Sequence, residues 1–121
     1  MIIEGHVVSG KRLGRTIGFP TANIHADQRE GDGPDGVYAA RLYINGADHG
    51  CMVNIGHHPT LPGGGRSVEA HLFDFDGDLY GRRAVLETAE YIRGEVKFAS
   101  PEDLRLQLEK DCISARKILG I

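Results

Sequence analysis

The chain has 121 residues, a length that suits one domain with a single hydrophobic core. Its formal net charge of −3 argues against a nucleic-acid-binding domain, because such domains usually carry a basic stripe. No apolar run approaches the roughly 20 residues of a membrane span, and Met1 does not begin a signal peptide. We therefore expect a single cytoplasmic domain, 1–121, that acts as a monomer without membrane or nucleic acid.

The first half of the chain predicts short strands separated by turns. Residues Ile2 to Ser9 form the first predicted strand, and the polar, turn-rich residues 25–35 are predicted to be a mobile surface loop. Val37 to Ile44 and Cys51 to Ile55 are predicted to pair as two strands. Asn45-Gly46 joins them, and both turn residues can adopt positive φ.

The second half of the chain predicts two more strands, the second less clearly. Ser67 to Phe75 alternates apolar and polar residues, and Asp76-Gly77 after it is a hairpin signal. Residues 83–93 fit one face of a helix about as well as they fit a strand. We predict a strand there, because the Asp-Gly turn calls for a hairpin partner.

The last segment predicts a helix. Ser100 is a typical N-cap, Pro101 suits the first helical position, and Gly120 is the expected stop. An apolar stripe follows the helical period, made of Leu104, Leu108, Cys112, Ala115 and Leu119. Strands joined by hairpins plus one terminal helix predict a small antiparallel barrel with the helix packed outside.

A glycine-spaced basic segment follows the first strand. It carries three glycines and three basic residues: Gly10, Gly14, Gly18, Lys11, Arg12 and Arg15. Glycines let the backbone fold closely around a ligand, and their N–H groups suit phosphate oxygens. The segment is not a Walker A loop, because the basic residues are not followed by a helical period. A solvent-exposed basic loop is the alternative.

Two neutral oxygen donors come directly after that segment. Pro20 keeps the chain extended, so the side chains of Thr21 and Asn23 point to the same side. Such oxygens suit Mg²⁺ that is bound mainly by substrate phosphates. The alternative is an ordinary proline turn.

At these residues the chain resembles the riboflavin kinase family. In many bacteria this flavokinase module forms the C-terminal part of a bifunctional riboflavin kinase/FAD synthetase. The signature is Gly18-Phe19-Pro20-Thr21-Ala22-Asn23, and further blocks follow in the family's order at 36–39, 54–56, 68–72, 74–81 and 93–98. The similarity runs from about Gly5 to Ala115. Gly94 departs from the pattern, where a proline or other residue is expected. Nothing resembling the adenylyltransferase half precedes the module, so we expect that domain to be absent.

The resemblance implies a mainly β fold, a small antiparallel Greek-key-type β-barrel with one C-terminal α-helix. It implies an ATP:riboflavin 5'-phosphotransferase that makes FMN and ADP, with Mg²⁺ or another divalent metal and with ATP as co-substrate. Thr21 and Asn23 would complete the metal site. The implied contacts on the ATP side are Gly10, Arg15, Thr21, Asn23, Leu72, Asp74 and Tyr80, and those on the flavin side are Arg93, Val96 and Phe98.

Glu69 is the candidate catalytic base. It alternates with Val68, Ala70 and Leu72, a pattern that by itself fits a solvated strand carboxylate. The resemblance places the family's catalytic glutamate here, where a carboxylate can orient and deprotonate the accepting hydroxyl. His71 should face the same way, either to orient substrate or as a satisfied structural histidine.

Other residues that could bind a ligand or a metal also have a purely structural interpretation. Arg93 could simply be an exposed arginine at the end of a strand, and Phe98 could be an ordinary core residue. Adjacent His57 and His58 point apart on an extended chain and lack a third ligand at useful spacing, so we interpret them as loop residues. The two cysteines, at positions 51 and 112, show no metal-binding spacing and are expected to be free thiols.

Two competing functions deserve comparison with the kinase. One is a module of the same fold that binds flavin or nucleotide but has lost turnover, and the presence of Thr21, Asn23 and Glu69 counts against it. The other is a small β-barrel that binds oligonucleotides or sugars. The acidic charge and the lack of an aromatic stripe count against that one.

Overall fold

A computed structural model describes residues 1–9, 21–57, 66–75 and 77–121. The predicted phosphate-binding residues Gly10 and Arg15, and also His58, lie outside the described residues. The described chain forms six strands and one helix. These elements are β1 (Ile2–Ser9), β2 (Thr21–Glu30), β3 (Gly36–Ile44), β4 (Ala47–His57), β5 (Arg66–Leu72), β6 (Arg83–Arg93) and α1 (Pro101–Leu119).

The six strands close into a barrel in the order β1-β2-β5-β4-β3-β6, with every neighbouring pair antiparallel. Strands β3, β4 and β5 lie side by side, and β6 returns to lie beside β3, which is the Greek-key arrangement. Closure leaves none of the six described strands with an open edge. The predicted mainly β fold, a Greek-key barrel with one C-terminal helix, is confirmed.

Alternation along the strands produces two apolar layers. One fills the barrel interior and includes Ile3, Leu42, Val53, Val68, Ala70, Leu72 and Leu86. The second lies outside the barrel, between α1 and the outer faces of β3 and β4, and includes Val37, Ala39, Met52, Leu108 and Ala115. Because β5 turns its apolar residues inward, its polar residues face the space beside α1.

The prediction of a surface loop over residues 25–35 is wrong for residues 25–30. Strand β2 continues to Glu30, which pairs with Ile2 of β1. These residues are polar because the outer face of this strand is solvated, while Ile24 on the same strand fills the interior. The polar residues that predicted a loop therefore belong to a strand of the barrel that is exposed to solvent.

The predicted strand over residues 83–93 is confirmed, but its predicted hairpin partner is wrong. Strand β6 pairs with β1 and β3, whereas β5 lies between β2 and β4. Strand β5 also ends at Leu72, earlier than predicted, and Asp74 adopts a positive φ of 52°. A turn signal specifies only a local reversal, and burial of Ala84 and Leu86 inside the barrel sets where β6 pairs.

Local sequence signals hold at the β3–β4 turn and at both ends of α1. Asn45 and Gly46 have φ values of 54° and 77°, as the predicted tight turn requires. Ser100 Oγ accepts a hydrogen bond from the Asp103 N–H at 3.1 Å, and Gly120 ends the helix with φ 74°. Among the described residues, no helix combines the length and apolarity needed to cross a lipid bilayer.

Both cysteines are free thiols, and they differ in environment. Cys51 is fully buried in the barrel interior, where burial raises the pKa of its thiol to about 12. A neutral, inaccessible thiol is a poor nucleophile.

We expect Cys51 to resist alkylation at neutral pH in the folded protein, whereas the half-buried Cys112 reacts faster. Mass spectrometry after timed iodoacetamide treatment checks this, with guanidinium-unfolded protein as control; equal rates in the folded protein would contradict it.

Candidate active site

Strand register aligns five residues in one row across five strands. Asn23 pairs with Glu69, and Glu69 pairs with Asn54. Asn54 in turn pairs with Val37, which pairs with Arg93. Side chains of directly paired residues have Cβ atoms about 4.5–5.5 Å apart on the same face of the sheet. The row lies on the outer face of the barrel. It begins with the side-chain oxygen of Asn23, a candidate metal ligand, and continues through a carboxylate and an amide to an apolar side chain and a guanidinium.

A second, neighbouring row brings Thr21, His71 and Met52 together. Thr21 Oγ1 lies 3.2 Å from His71 Nδ1, and His71 Nε2 lies 3.4 Å from Glu69 Oε1. His71 is only 6% exposed. It faces the same way as Glu69, as predicted, and it links the candidate metal ligand Thr21 to the candidate base.

A cavity of about 450 Å³ lies against these rows, and residues 95–98 and the first half of α1 also line it. This volume is within the usual range for a small-molecule site. Six lining residues are apolar and are called the apolar wall: Val37, Met52, Val96, Phe98, Leu104 and Leu108. The other six are polar and are called the polar wall: Asn54, Glu69, His71, Arg93, Glu95 and Lys97. The cavity therefore offers a ligand both apolar and polar contacts, and along the row Glu69 and Asn54 precede the apolar Val37.

Arg93 lines the cavity, and its guanidinium is held by the helix. Nη2 donates to Asp111 Oδ2 at 2.7 Å, Nε lies 3.0 Å from both Asp111 oxygens, and Nη1 donates to the Gly94 carbonyl at 3.0 Å. Asp111 is 2% exposed and also accepts from Gln107 Nε2 at 2.9 Å. This buried network fastens the end of β6 to α1. Asp111 was not predicted, because a single aspartate on a helix gives no signal without its partner.

The residues after β6 form the outer wall of the cavity. The Arg93 Cζ atom lies 5.8 Å from the centre of the Phe98 ring, and Val96 is exposed. The carboxylate of Glu95 occupies the place where a side chain on Gly56 would begin, so a larger residue at position 56 would displace Glu95. The structure therefore brings the predicted flavin-side residues Arg93, Val96 and Phe98 to one cavity with Glu69.

Three of the predicted ATP-side residues, Leu72, Asp74 and Tyr80, do not line this cavity. Leu72 fills the barrel interior, and Tyr80 is exposed with its N–H bonded to Asp78 Oδ1. Asp74 accepts a hydrogen bond from Arg116 at 2.8 Å, which lowers the pKa of its carboxyl group. The assignment of Leu72, Asp74 and Tyr80 to the nucleotide stays a prediction.

The donor set beside Glu69 fits a divalent cation that is shared with phosphate. Thr21 and Asn23 supply neutral oxygens next to the Glu69 carboxylate. Within residues 1–9, 21–57, 66–75 and 77–121, no group of three His, Cys, Asp or Glu side chains could hold a metal ion. Mg²⁺ commonly uses few protein oxygens and completes its shell with water and substrate phosphates.

Asn54 is a site residue that sequence reasoning missed. It was noted only as part of a family block, although it stands between the inward-facing Val53 and Ile55. Its Oδ1 atom is buried and has no hydrogen-bond partner among the described residues. The signal that could have found it is the outward polar position itself, which becomes informative once Glu69 is known to be its strand neighbour.

Two solved structures have the same fold over almost the whole chain. A macrolide-efflux protein from Streptococcus pneumoniae aligns with a TM-score of 0.86 and 35% identity, over 95% of this chain and 38% of that one. Riboflavin kinase from Trypanosoma brucei aligns with a TM-score of 0.66, over 98% of this chain and 79% of that one. The second likeness, at 23% identity, bears on the fold alone.

Sequence comparison goes further. The bifunctional riboflavin kinase/FMN adenylyltransferase of Haemophilus influenzae is 43% identical over 115 residues, which are 94% of this chain. The chain spans 37% of that relative's length. The Flavokinase family model, described as riboflavin kinase, matches residues 1–119. With a family match over nearly its full length, the chain belongs to the riboflavin kinase family.

Proposed function

We propose that this chain is a riboflavin kinase, which transfers the γ-phosphoryl group of ATP to the ribityl 5'-hydroxyl of riboflavin and releases FMN and ADP. The observation that carries the proposal is the row in which Glu69 stands between Asn23 and the amphipathic cavity. A kinase needs its base at this point, with the metal and phosphates on one side and the accepting hydroxyl on the other.

The volume of the cavity and its mixed apolar and polar lining suit riboflavin. Its apolar wall, near Val37 and Phe98, suits the isoalloxazine ring, and its polar wall leads to Glu69. A ring held at the apolar wall would direct its ribityl chain along the row toward the carboxylate. The guanidinium of Arg93 lies at the ring end, where it can donate or stack, as planar cations do on aromatic systems.

Glu69 would accept the proton of the 5'-hydroxyl while the new O–P bond forms and the bond to ADP breaks. The nearby His71 Nε2 holds Glu69 Oε1 in place, and Thr21 near Nδ1 orients the imidazole in turn. Thr21 and Asn23, together with the ATP phosphates, would hold a divalent cation, which would neutralise charge on the transferred group. The protein's own part is mainly positioning.

The direct test is formation of FMN from riboflavin and ATP with Mg²⁺, followed by chromatography, with an EDTA-treated sample as the metal-free control. FMN that appears only with metal and ATP supports the proposal. Tight riboflavin binding without FMN would instead support the competing hypothesis, a module that has kept the pocket and lost turnover.

Replacing Thr21 by valine is expected to raise the half-saturating Mg²⁺ concentration about tenfold, because an oxygen contact of this kind contributes about 1.5 kcal/mol. Valine keeps the branched shape and suits a strand, so the fold should persist. Thr21→Ser, which keeps the hydroxyl, is the matched control and should behave like the parent. A Mg²⁺ titration of activity is the measurement; an unchanged midpoint in the valine variant would make Thr21 merely structural.

A further inference from the structure

The amide oxygen of Asn54 is a buried acceptor without a donor. No hydrogen-bond partner for Oδ1 exists among the residues that the structure describes. Leaving such a group unpaired costs about 1–3 kcal/mol, and native proteins rarely accept this without a reason. One such reason is a ligand that brings the missing donor.

The position of Asn54 indicates where that ligand group lies. Its neighbours Val53 and Ile55 fill the barrel interior, so its own side chain is on the outer face and lines the cavity. In the row it stands directly between Glu69 and Val37. Along the row, the Asn54 oxygen therefore lies between the candidate base Glu69 and Val37 of the apolar wall.

The chemistry of the missing donor follows from these two neighbours. A neutral amide oxygen accepts from a hydroxyl or an N–H, and a charged partner is not required. A hydroxyl has a single O–H to donate, so the hydroxyl that donates to Glu69 cannot also be the donor that Asn54 lacks. The missing donor belongs to the same ligand one step nearer the apolar end. A secondary hydroxyl of a sugar-alcohol chain fits this place.

We propose that Asn54 accepts a hydrogen bond from a secondary ribityl hydroxyl and so selects flavins that carry the polyol chain. This rests on the proposed function of the same site as a riboflavin site. Asn54 then fixes the chain whose terminal hydroxyl reaches Glu69. Its energetic contribution is specific to the chain, because the ring is bound by the apolar wall.

The test compares riboflavin with lumiflavin, which has the same ring system and a methyl group in place of the ribityl chain. Asn54→Leu keeps the side-chain size and removes the acceptor. We expect it to weaken riboflavin binding about tenfold, the loss of one buried neutral hydrogen bond, and to change lumiflavin binding less than twofold. Fluorescence titration of both ligands on the full chain measures this.

A matched control and a stability measurement separate this role from a structural one. Met52→Leu alters the same strand face without changing its polar groups, and it should affect both ligands alike. The ligand-free Asn54→Leu protein should melt close to the parent, because the acceptor Oδ1 that it loses makes no hydrogen bond to the described residues. Asn54→Ala serves the same comparison if the leucine variant does not fold.

Each result decides the matter. An unchanged riboflavin affinity, or equal losses for riboflavin and lumiflavin, would overturn the selective role. A lowered melting temperature with equal losses would assign Asn54 to the fold. Failure of the parent protein to bind riboflavin at all would overturn the proposed function as well, and it is distinguished because it appears before any substitution is made.

Discussion

Glu69→Gln is expected to lower kcat about 10²–10⁴-fold, the usual loss when a general base is removed. Glutamine keeps the length and shape of the side chain, and its amide oxygen can still accept from His71 Nε2. It cannot take the proton of the accepting hydroxyl. Riboflavin should therefore bind within a few-fold of the parent affinity. FMN formation gives kcat, and a separate fluorescence titration gives the affinity.

The matched control for this prediction is Glu87→Gln, the same substitution on β6 at a solvent-exposed position outside the cavity. It should leave both kcat and riboflavin affinity close to those of the parent. If Glu69→Gln keeps activity within a few-fold of the parent while binding is intact, Glu69 has no part in the proton transfer. Glu69 would then be a polar wall residue of the flavin cavity.

The direction in which Glu69 points was readable from the sequence. Val68, Ala70 and Leu72 alternate with it, and the structure buries all three inside the barrel. Alternation alone, however, favoured an ordinary solvated strand carboxylate over a catalytic base. Local signals for turns and caps were also sufficient at Asn45 and Ser100, because their energetics depend on a few neighbouring residues.

Proximity between distant residues was not readable in the same way. Asn23 meets Glu69 because β2 pairs with β5, and these strands are far apart in the chain. The pairing follows from closure of the whole barrel, which no local pattern specifies. The same limit explains the wrong hairpin between β5 and β6. The resemblance supplied Glu69 as a candidate, and the register supplied its neighbour Asn54.

Buried polar groups show this limit most clearly. Asp111 lies on α1 between residues of the apolar stripe, where charge is normally unfavourable. Its burial makes sense only with Arg93, which arrives from the end of β6 with three short contacts. Sequence reasoning assigned Arg93 to the flavin and left Asp111 without comment. The pair is therefore the best place to test how the fold supports the site.

Asp111→Ala is expected to lower the free energy of unfolding by about 3 kcal/mol, because it leaves the partly buried guanidinium of Arg93 without its carboxylate. This is a large part of the stability of a typical domain, about 5–15 kcal/mol. Urea denaturation measures the change. Glu109→Ala is the control on the same helix: Glu109 pairs with Arg105 at the surface, so its removal should cost less than about 1 kcal/mol. Equal losses in the two variants would contradict a special role for the buried pair.

A double variant separates stability from flavin binding. Arg93→Met with Asp111→Leu replaces the buried ion pair by apolar side chains, an exchange that is often neutral or stabilising in other proteins. We expect it to regain most of the stability that Asp111→Ala loses. If Arg93 also contacts the flavin, the double variant binds riboflavin more weakly than the parent although it is stable, because the guanidinium is gone. A riboflavin affinity equal to the parent's in this stable protein would show that Arg93 acts only by fastening β6 to α1, and that the flavin is held by the apolar wall and the polar row.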